Sequence, residues 1–364
     1  MNVAEQIVAQ LVDAGVHRIY GIVGDSLNPI VDAVRKTGGS AQGGIDWIHV
    51  RHEEAAAFAA SAEAQLTGKL AVCAGSCGPG NLHLINGLYD ANRTGAPVLA
   101  IASHIPSVQI GSTYFQETHP DRVFEECSVY NELISSAAQS PRTVNSAIRH
   151  AVGLGGVAVI TLPGDITDLK AVEHVPTYAP ARPATLTPNP ADIDEAAALL
   201  NKADKVAIFA GAGVEGAHDE VIALADALKA PIGHSLRGKH FIQYDNPFDV
   251  GMTGLLGYGA AAEGMNDADV LILLGTDFPY DQFLPDTPTI QVDTHAEKLG
   301  RRTDVGLAIH AQVKPFIEAL LPHLRAGRSD SFLKAKIKKH SEIMHAPVGA
   351  YTRNVEKMRP IHPE

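Results

Sequence analysis

The chain reads as an α/β protein built from two doubly wound parallel-sheet domains, and three features of the sequence say so. Short β-rich runs alternate with helical patterns in both halves, a proline-punctuated stretch interrupts the alternation near the middle, and glycine-rich turns follow apolar runs in each half. Strands that alternate with helices need crossover connections, which means parallel sheets covered on both faces.

Apolar residues at Val3, Ile7, Val8, Leu11 and Val12 keep helical spacing, and Gly15 closes that helix. Residues 19–24 (IYGIVG) read as a strand running into a loop, with a helix over 29–34 behind it. Further β-rich runs fall at 70–73, 97–101 and 157–162, separated by helical pattern, giving a first domain over 1–175. The pattern then stops: Pro176, Pro180, Pro183, Pro188 and Pro190 resist both helix and sheet, so 176–190 is a connector. Alternation resumes with a helix over 191–200, VAIFAGAGV, a helix over 218–228, VLILLGT, TIQVD and a helix over 313–324, a second domain spanning 191–325. Residues 326–364 turn polar and basic, with Lys334, Lys336, Lys338 and Lys339 close together, and are expected to be a solvated helix or linker.

With 364 residues, 45% of them hydrophobic and 19% charged, the chain can bury large cores without staples. Three cysteines, Cys73, Cys77 and Cys127, are too few for a disulfide framework and form no CxxC pair, which suits a reducing cytoplasm. A formal charge of −12 argues against nucleic acid, whose binding rests on neutralising phosphates with Lys and Arg. The N-terminus is a helix with acids and not a signal peptide, and no apolar run approaches the ~20 residues that span a bilayer.

Residues 51–81, RHEEAAAFAASAEAQLTGKLAVCAGSCGPGN, place an acid just inside a helix, then a strand, then a glycine-rich loop opening a second helix. Residues 55–64 are nearly all small and apolar, so a carboxyl group entering this helix meets poor solvation, which favours the protonated, donating form. Gly75, Gly78 and Gly80 allow positive φ and close backbone approach, while Pro79 stiffens the turn before a helix starting near Asn81. No Lys follows this loop as it would in a nucleotide triphosphate site.

This block resembles the pyrimidine-binding domain of thiamine diphosphate (ThDP) enzymes, and specifically the pyruvate dehydrogenase (quinone), or pyruvate oxidase, subgroup. The likeness extends over essentially the whole chain, through YGIVGDSLNPIVDAV, GSCGPGNLHLINGLYDA, ASHIPSVQIGSTYFQETHP, DVGMTGLLGYG and LLGTDFPYDQFLPD. It implies a glutamate that hydrogen-bonds the aminopyrimidine ring; this residue follows the His of the motif, here His52, and so maps to Glu53 and not Glu54. It sets the GSCGPGN loop, Gly75, Gly78, Gly80 and Asn81, against the pyrimidine, with Gly24 and Asp25 nearby on the partner subunit's side. Cys77 is then a small filler of the loop. Phe115 and Gln116 match a pair the family places near substrate. It implies pyruvate as substrate, a quinone as electron acceptor, a homo-oligomer (dimer or tetramer), and Mg²⁺ held with the diphosphate by a third domain whose GDG and NN strings do not occur here. A cytoplasmic protein is expected, with peripheral membrane contact at the inner face only through a segment beyond residue 364.

In the second half, Gly211, Gly213 and Gly216 form GAGVEG after an apolar strand, a formal match to the dinucleotide fingerprint. The acid that an NAD site wants about 20 residues further on is missing. PIGHSLRGK, with Arg237 and Lys239, stands there instead and leaves a phosphate-bearing ligand open. The resemblance implies FAD in this domain, with contacts at Thr253, Gly254, Leu255 and Leu256, at Thr276, Asp277, Phe278, Pro279 and Tyr280, and at Asp293, whose carboxylate at a strand end suits ribose hydroxyls. The 17 histidines show no HExxH or paired Cys/His spacing. His49, His83, His104 and His119 read as structural or surface residues, with His83 and His119 inside matched motifs as candidates to face substrate.

The leading expectation is therefore ThDP- and FAD-dependent oxidative decarboxylation of pyruvate to acetate and CO2, with the chain inactive without a third domain. An acetolactate synthase-like carboligase shares the layout. A non-catalytic cofactor-binding module or subunit, and an NAD-type Rossmann oxidoreductase, are the alternatives from other classes.

Overall fold

A computed structural model describes residues 1–173, 178–179, 181, 184–352, 357 and 359. Pro176, Pro180 and Pro183 of the expected connector, and residues 361–364, lie outside the described residues. The chain divides into two compact units, Met1–Arg182 and Pro183–Glu364.

The first unit is built on six parallel strands, β1 (Arg18–Gly21), β2 (Asp46–His49), β3 (Ala71–Gly75), β4 (Val98–His104), β5 (Tyr130–Leu133) and β6 (Val157–Pro163), in the order β2-β1-β3-β4-β6-β5. Strands β3, β4 and β6 are buried along their whole length, which is why they read as continuous apolar runs. Strands β2 and β5 flank the sheet and are only half-buried, so neither announces itself in the sequence. Helices Val3–Asp13, Asn28–Lys36 and Ser140–Leu154 feed one core, with Ile7, Leu11, Ile30, Val34 and Ile148 buried. Helices Glu53–Thr67 and Ile85–Thr94 feed the other through Ala56, Ala57, Ala60, Ala64, Leu88 and Ala91. These two helices approach closely because Gly87 has no side chain: a Cβ there would lie 2.5 Å from that of Ala57.

The second unit holds seven strands, β7 (Val206–Ala210), β8 (Ile232–His234), β9 (Asp249–Met252), β10 (Tyr258–Gly259), β11 (Val270–Leu274), β12 (Thr289–Asp293) and β13 (Leu307–His310). Their order is β10-β9-β8-β7-β11-β12-β13, parallel throughout except that β10 pairs antiparallel with β9. Helices Pro190–Lys202, His218–Leu228 and Val313–Leu320 cover one face. Phe209, Leu271, Leu273, Met265 and Phe278 form the core on the other.

The segment from 326 onward differs from the expected solvated linker. Helix Ser331–Thr352 packs against β9, β10 and helix Ala261–Asn266, burying Leu333 and Lys336. Lys336 Nζ donates to Glu263 at 2.7 Å and Asp267 at 2.5 Å, so its alkyl stem lies in the core while its charge is paired. A lysine-rich sequence carries no sign of which lysine will be the buried one.

Candidate functional site

In an open parallel sheet, ligands gather at the carboxyl ends of strands where the strand order reverses. In the first unit that point lies between β1 and β3, and the loops after these strands are fastened together there. Ser26 Oγ lies 3.0 Å from Ser76 Oγ and accepts the Cys77 amide at 2.9 Å, while Ser103 Oγ donates to the Ser26 carbonyl at 2.7 Å. These three serines went unnoticed in the sequence because nothing in their spacing reveals the contact. A Cβ at Gly24 would lie 2.3 Å from Ser76 Oγ, so Gly24 packs on the glycine loop of its own chain. Asp25, itself exposed, opens the turn Asp25–Leu27 beside it, whose Leu27 is buried.

Of the three loop glycines expected to use positive φ, only Gly78 does so, at +71°. Gly75 and Gly80 serve close approach instead. A Cβ at Gly75 would meet Asn81 Cα at 2.7 Å, and one at Gly80 would stand 3.3 Å from Glu53 Oε1. Gly80 and Asn81 sit inside the short helix Pro79–Leu82, which starts two residues earlier than expected. Asn81 is fully buried; its Nδ2 donates to the Ser103 carbonyl at 2.8 Å and its Oδ1 has no partner.

Glu53 is the first residue of helix Glu53–Thr67 and is 7% exposed. His52 caps this helix in an extended conformation and accepts the Glu54 amide on Nδ1 at 3.2 Å, which turns the Glu53 side chain inward and leaves Glu54 outside. His83 Nδ1 lies 3.2 Å from Glu53 Oε2, and the His52 and His83 rings stack with centroids 4.5 Å apart. Glu53 thus has one oxygen held by an imidazole and the other against backbone that carries no side chain. A carboxyl group so placed, with no Lys or Arg beside it among the described residues, fits the ring nitrogen of a neutral heterocycle such as the aminopyrimidine.

Gln116, at φ +65°, packs on Gly78 and receives the Cys77 thiol at 3.5 Å. Phe115 is 80% exposed and is not drawn to the glycine loop within this chain. His104, at the end of β4, is buried with Nδ1 unpartnered, and burial lowers its pKa. It reads as a core residue, as expected.

The second unit repeats the arrangement at its own reversal point, between β7 and β11. The Gly213 amide donates to the Gly275 carbonyl at 2.9 Å, and a Cβ at Gly211 would lie 2.3 Å from that same oxygen. Thr253, Thr276, Phe278 and Asp293 are buried at the carboxyl ends of β9, β11 and β12, while Leu255 and Leu256 are exposed. Gly254, at φ +109°, leaves room for Phe278 and Tyr280, which meet edge to face beyond the exposed Pro279. Arg237 lies in the turn after β8, and Gly238 packs over Gly211. Asp277 is paired with Arg301 and with Arg302, the latter at 3.2 Å. This pair of arginines at the strand ends was missed; the RR dipeptide was its only sign. Asp293 Oδ1 accepts the His295 amide at 2.9 Å. Every segment expected to touch a flavin therefore lies along the same edge of this sheet, where Gly211, Gly213 and Gly275 let the two loops pack backbone to backbone.

Two interlocked loops meet over a buried glutamate at a sheet reversal, the place where open α/β sheets bind their ligands. The chain belongs to the thiamine pyrophosphate enzyme family: residues 1–123 match its N-terminal TPP binding domain and residues 193–320 its central domain. Curated relatives include an uncharacterized 42.6 kDa protein of Pseudomonas amyloderamosa, 54% identical over 92% of this chain and 84% of its own length. The pyruvate oxidase of Lactiplantibacillus plantarum is 32% identical over 89% of this chain, and acetolactate synthase isozyme 2 large subunit of Escherichia coli is 30% identical over 88%. The chain spans 54% and 59% of those two enzymes. Among the described residues no helix is long and apolar enough to cross a membrane.

Proposed function

We propose that this protein works in ThDP- and FAD-dependent oxidative decarboxylation of pyruvate, in which pyruvate, water and a quinone give acetate, CO2 and the quinol. The observation that carries this reading is the position of Glu53, buried at the sheet reversal with Oε1 against Gly80 and Oε2 against His83. ThDP, when bound, supplies the electron sink that allows a 2-keto acid to lose CO2. Glu53 holds a proton at the ring nitrogen it faces, and His83 fixes the carboxyl plane by taking Oε2. Gly80 keeps a side chain away from Glu53 Oε1, Gly75 and Gly78 let the loop pack on Asn81 and Gln116, and Gln116 borders the substrate with Phe115. In the second unit, the loops that Gly211, Gly213 and Gly275 lock together would border the diphosphate of FAD, and Asp293 would accept its ribose hydroxyls.

Mg²⁺ and the coenzyme's diphosphate are assigned to a third domain, and Phe115, exposed in one chain, to the neighbourhood of a second copy in a homo-oligomer. Cytoplasmic residence, with any membrane contact peripheral, accompanies this reading. The likeness to acetolactate synthase at 30% identity supports a second reading, carboligation without net electron transfer.

The visible spectrum of the purified protein, followed by pyruvate with ThDP, Mg²⁺ and an artificial electron acceptor, tests the proposal. Flavin absorbance without turnover is expected of this chain alone, with pyruvate-dependent acceptor reduction once a third domain is supplied. Acetolactate without reduction under those conditions favours the carboligase, and flavin without turnover even then a cofactor-binding subunit.

A further inference from the structure

His52, Glu53 and His83 come from two segments far apart in sequence, yet one ligand atom from each lies within 4.8 Å of the other two. The set is two imidazoles and a carboxylate, the donor combination of open zinc centres. Zinc bonds of about 2.0–2.1 Å in tetrahedral geometry place neighbouring ligand atoms about 3.3 Å apart. Glu53 Oε2 and His83 Nδ1 already stand at 3.2 Å. The remaining imidazole, His52, is half-exposed and stacked on His83; a small rotation that releases its cap bond to the Glu54 amide closes the set. The carboxylate is desolvated while both rings face solution, which leaves an entry path and a position for a water ligand.

We propose that these three residues form a site for a borderline divalent transition metal, of which Zn²⁺ is the representative. Imidazole suits Zn²⁺, Cu²⁺ and Ni²⁺, whereas Mg²⁺ demands near-ideal octahedral oxygen ligation that this set does not offer. The site is therefore distinct in ligand chemistry from the Mg²⁺ that accompanies a diphosphate. Its consequence rests on the functional reading above: Glu53 cannot both ligate a metal and meet the aminopyrimidine, so zinc-like ions and the coenzyme exclude one another. Metal at this position would hold the protein in a cofactor-free state.

Calorimetric titration of Zn²⁺ into the cofactor-free protein, in a non-chelating buffer, tests the site. One site is expected in wild type, with affinity falling at least tenfold in each of His52→Ala, His83→Ala and Glu53→Gln, and unchanged in Cys77→Ser, which removes the nearby thiol. Far-UV circular dichroism establishes that each variant is folded, and Mg²⁺ in place of Zn²⁺ is expected to give no heat at this site. Undiminished Zn²⁺ affinity in folded His83→Ala and Glu53→Gln, or no binding to wild type, overturns the proposal. A repeat with the third domain supplied and ThDP bound in the presence of excess Mg²⁺ separates the two ideas: zinc binding that bound ThDP leaves untouched refutes the placement of the aminopyrimidine at Glu53 while the metal site stands.

Discussion

Gly213 and Gly275 lie back to back: the amide of one donates to the carbonyl of the other at 2.9 Å, and a Cβ on Gly275 would fall 2.4 Å from Gly213 Cα. The loops after β7 and β11 are thereby locked at the reversal point of the second sheet. Gly275 also adopts φ +56°, so alanine there meets both backbone strain and a steric clash. Gly275→Ala should lose about 2–4 kcal/mol of stability. It should also abolish flavin retention. Urea denaturation and the absorbance of the purified variant check this.

Lys336 is the pin of the last helix. Burial alone would push its ammonium down, but the bonds to Asp267 and Glu263 outweigh it and hold the pKa above the usual lysine value. A raised pKa means stability present below the unfolded-state value and lost as pH rises past it, in the alkaline range above about 10.5. Since both acids are half-exposed, the pair is discounted for screening, and Lys336→Ala should cost only about 1–2 kcal/mol. Amide exchange should rise first in residues 331–345.

How far the sequence revealed the fold depended on burial. Strands β3, β4, β6, β7, β11 and β12 are buried end to end and were legible as apolar runs. Strands β2, β5 and β13 are half-buried or alternate with solvent, and β10 has two residues, so each lacked a signal. Strand β8 hid its three residues, Gly233 among them, behind Pro231, and β9 its four before the Thr253–Gly254 turn. Within the site, Glu53 and the glycine loop stood out because they are contiguous in sequence. His83 against Glu53, Ser26 against Ser76, and Arg301 and Arg302 against Asp277 are contacts made by the fold between distant positions. No local pattern encodes them.

Acid should destabilise both units through buried histidines. Burial lowers the pKa of His104 in the first unit and of His234 in the second, the latter despite Asp249 close to its ring. Below the ordinary histidine value of about 6.5 the unfolded chain takes up protons that the folded one refuses, so stability falls with decreasing pH, at up to ~1.4 kcal/mol per pH unit for each group. Urea unfolding at pH 7.5 and 5.5 should show this loss, and His104→Gln should reduce it.

Thiol chemistry should single out one cysteine. Burial pushes the Cys73 thiol up to about 12 and Cys127 up to about 11, leaving both inert at neutral pH. Cys77, half-buried on the glycine loop, is the accessible one. A thiol-reactive chromophore at pH 8 should label one equivalent rapidly in native protein and three after denaturation. Prior ThDP with Mg²⁺ and a supplied third domain should slow the fast phase.

The central claim is that Glu53 and not its neighbour Glu54 activates the coenzyme. Deuterium exchange of the thiazolium C2 proton of ThDP, followed by NMR in the presence of Mg²⁺, a supplied third domain and wild-type, Glu53→Gln or Glu54→Gln protein, addresses it most directly. Acceleration by wild type and Glu54→Gln, with a loss of roughly 10²–10⁴-fold in Glu53→Gln, is the predicted result. Equal exchange rates in Glu53→Gln and wild type would contradict the assignment.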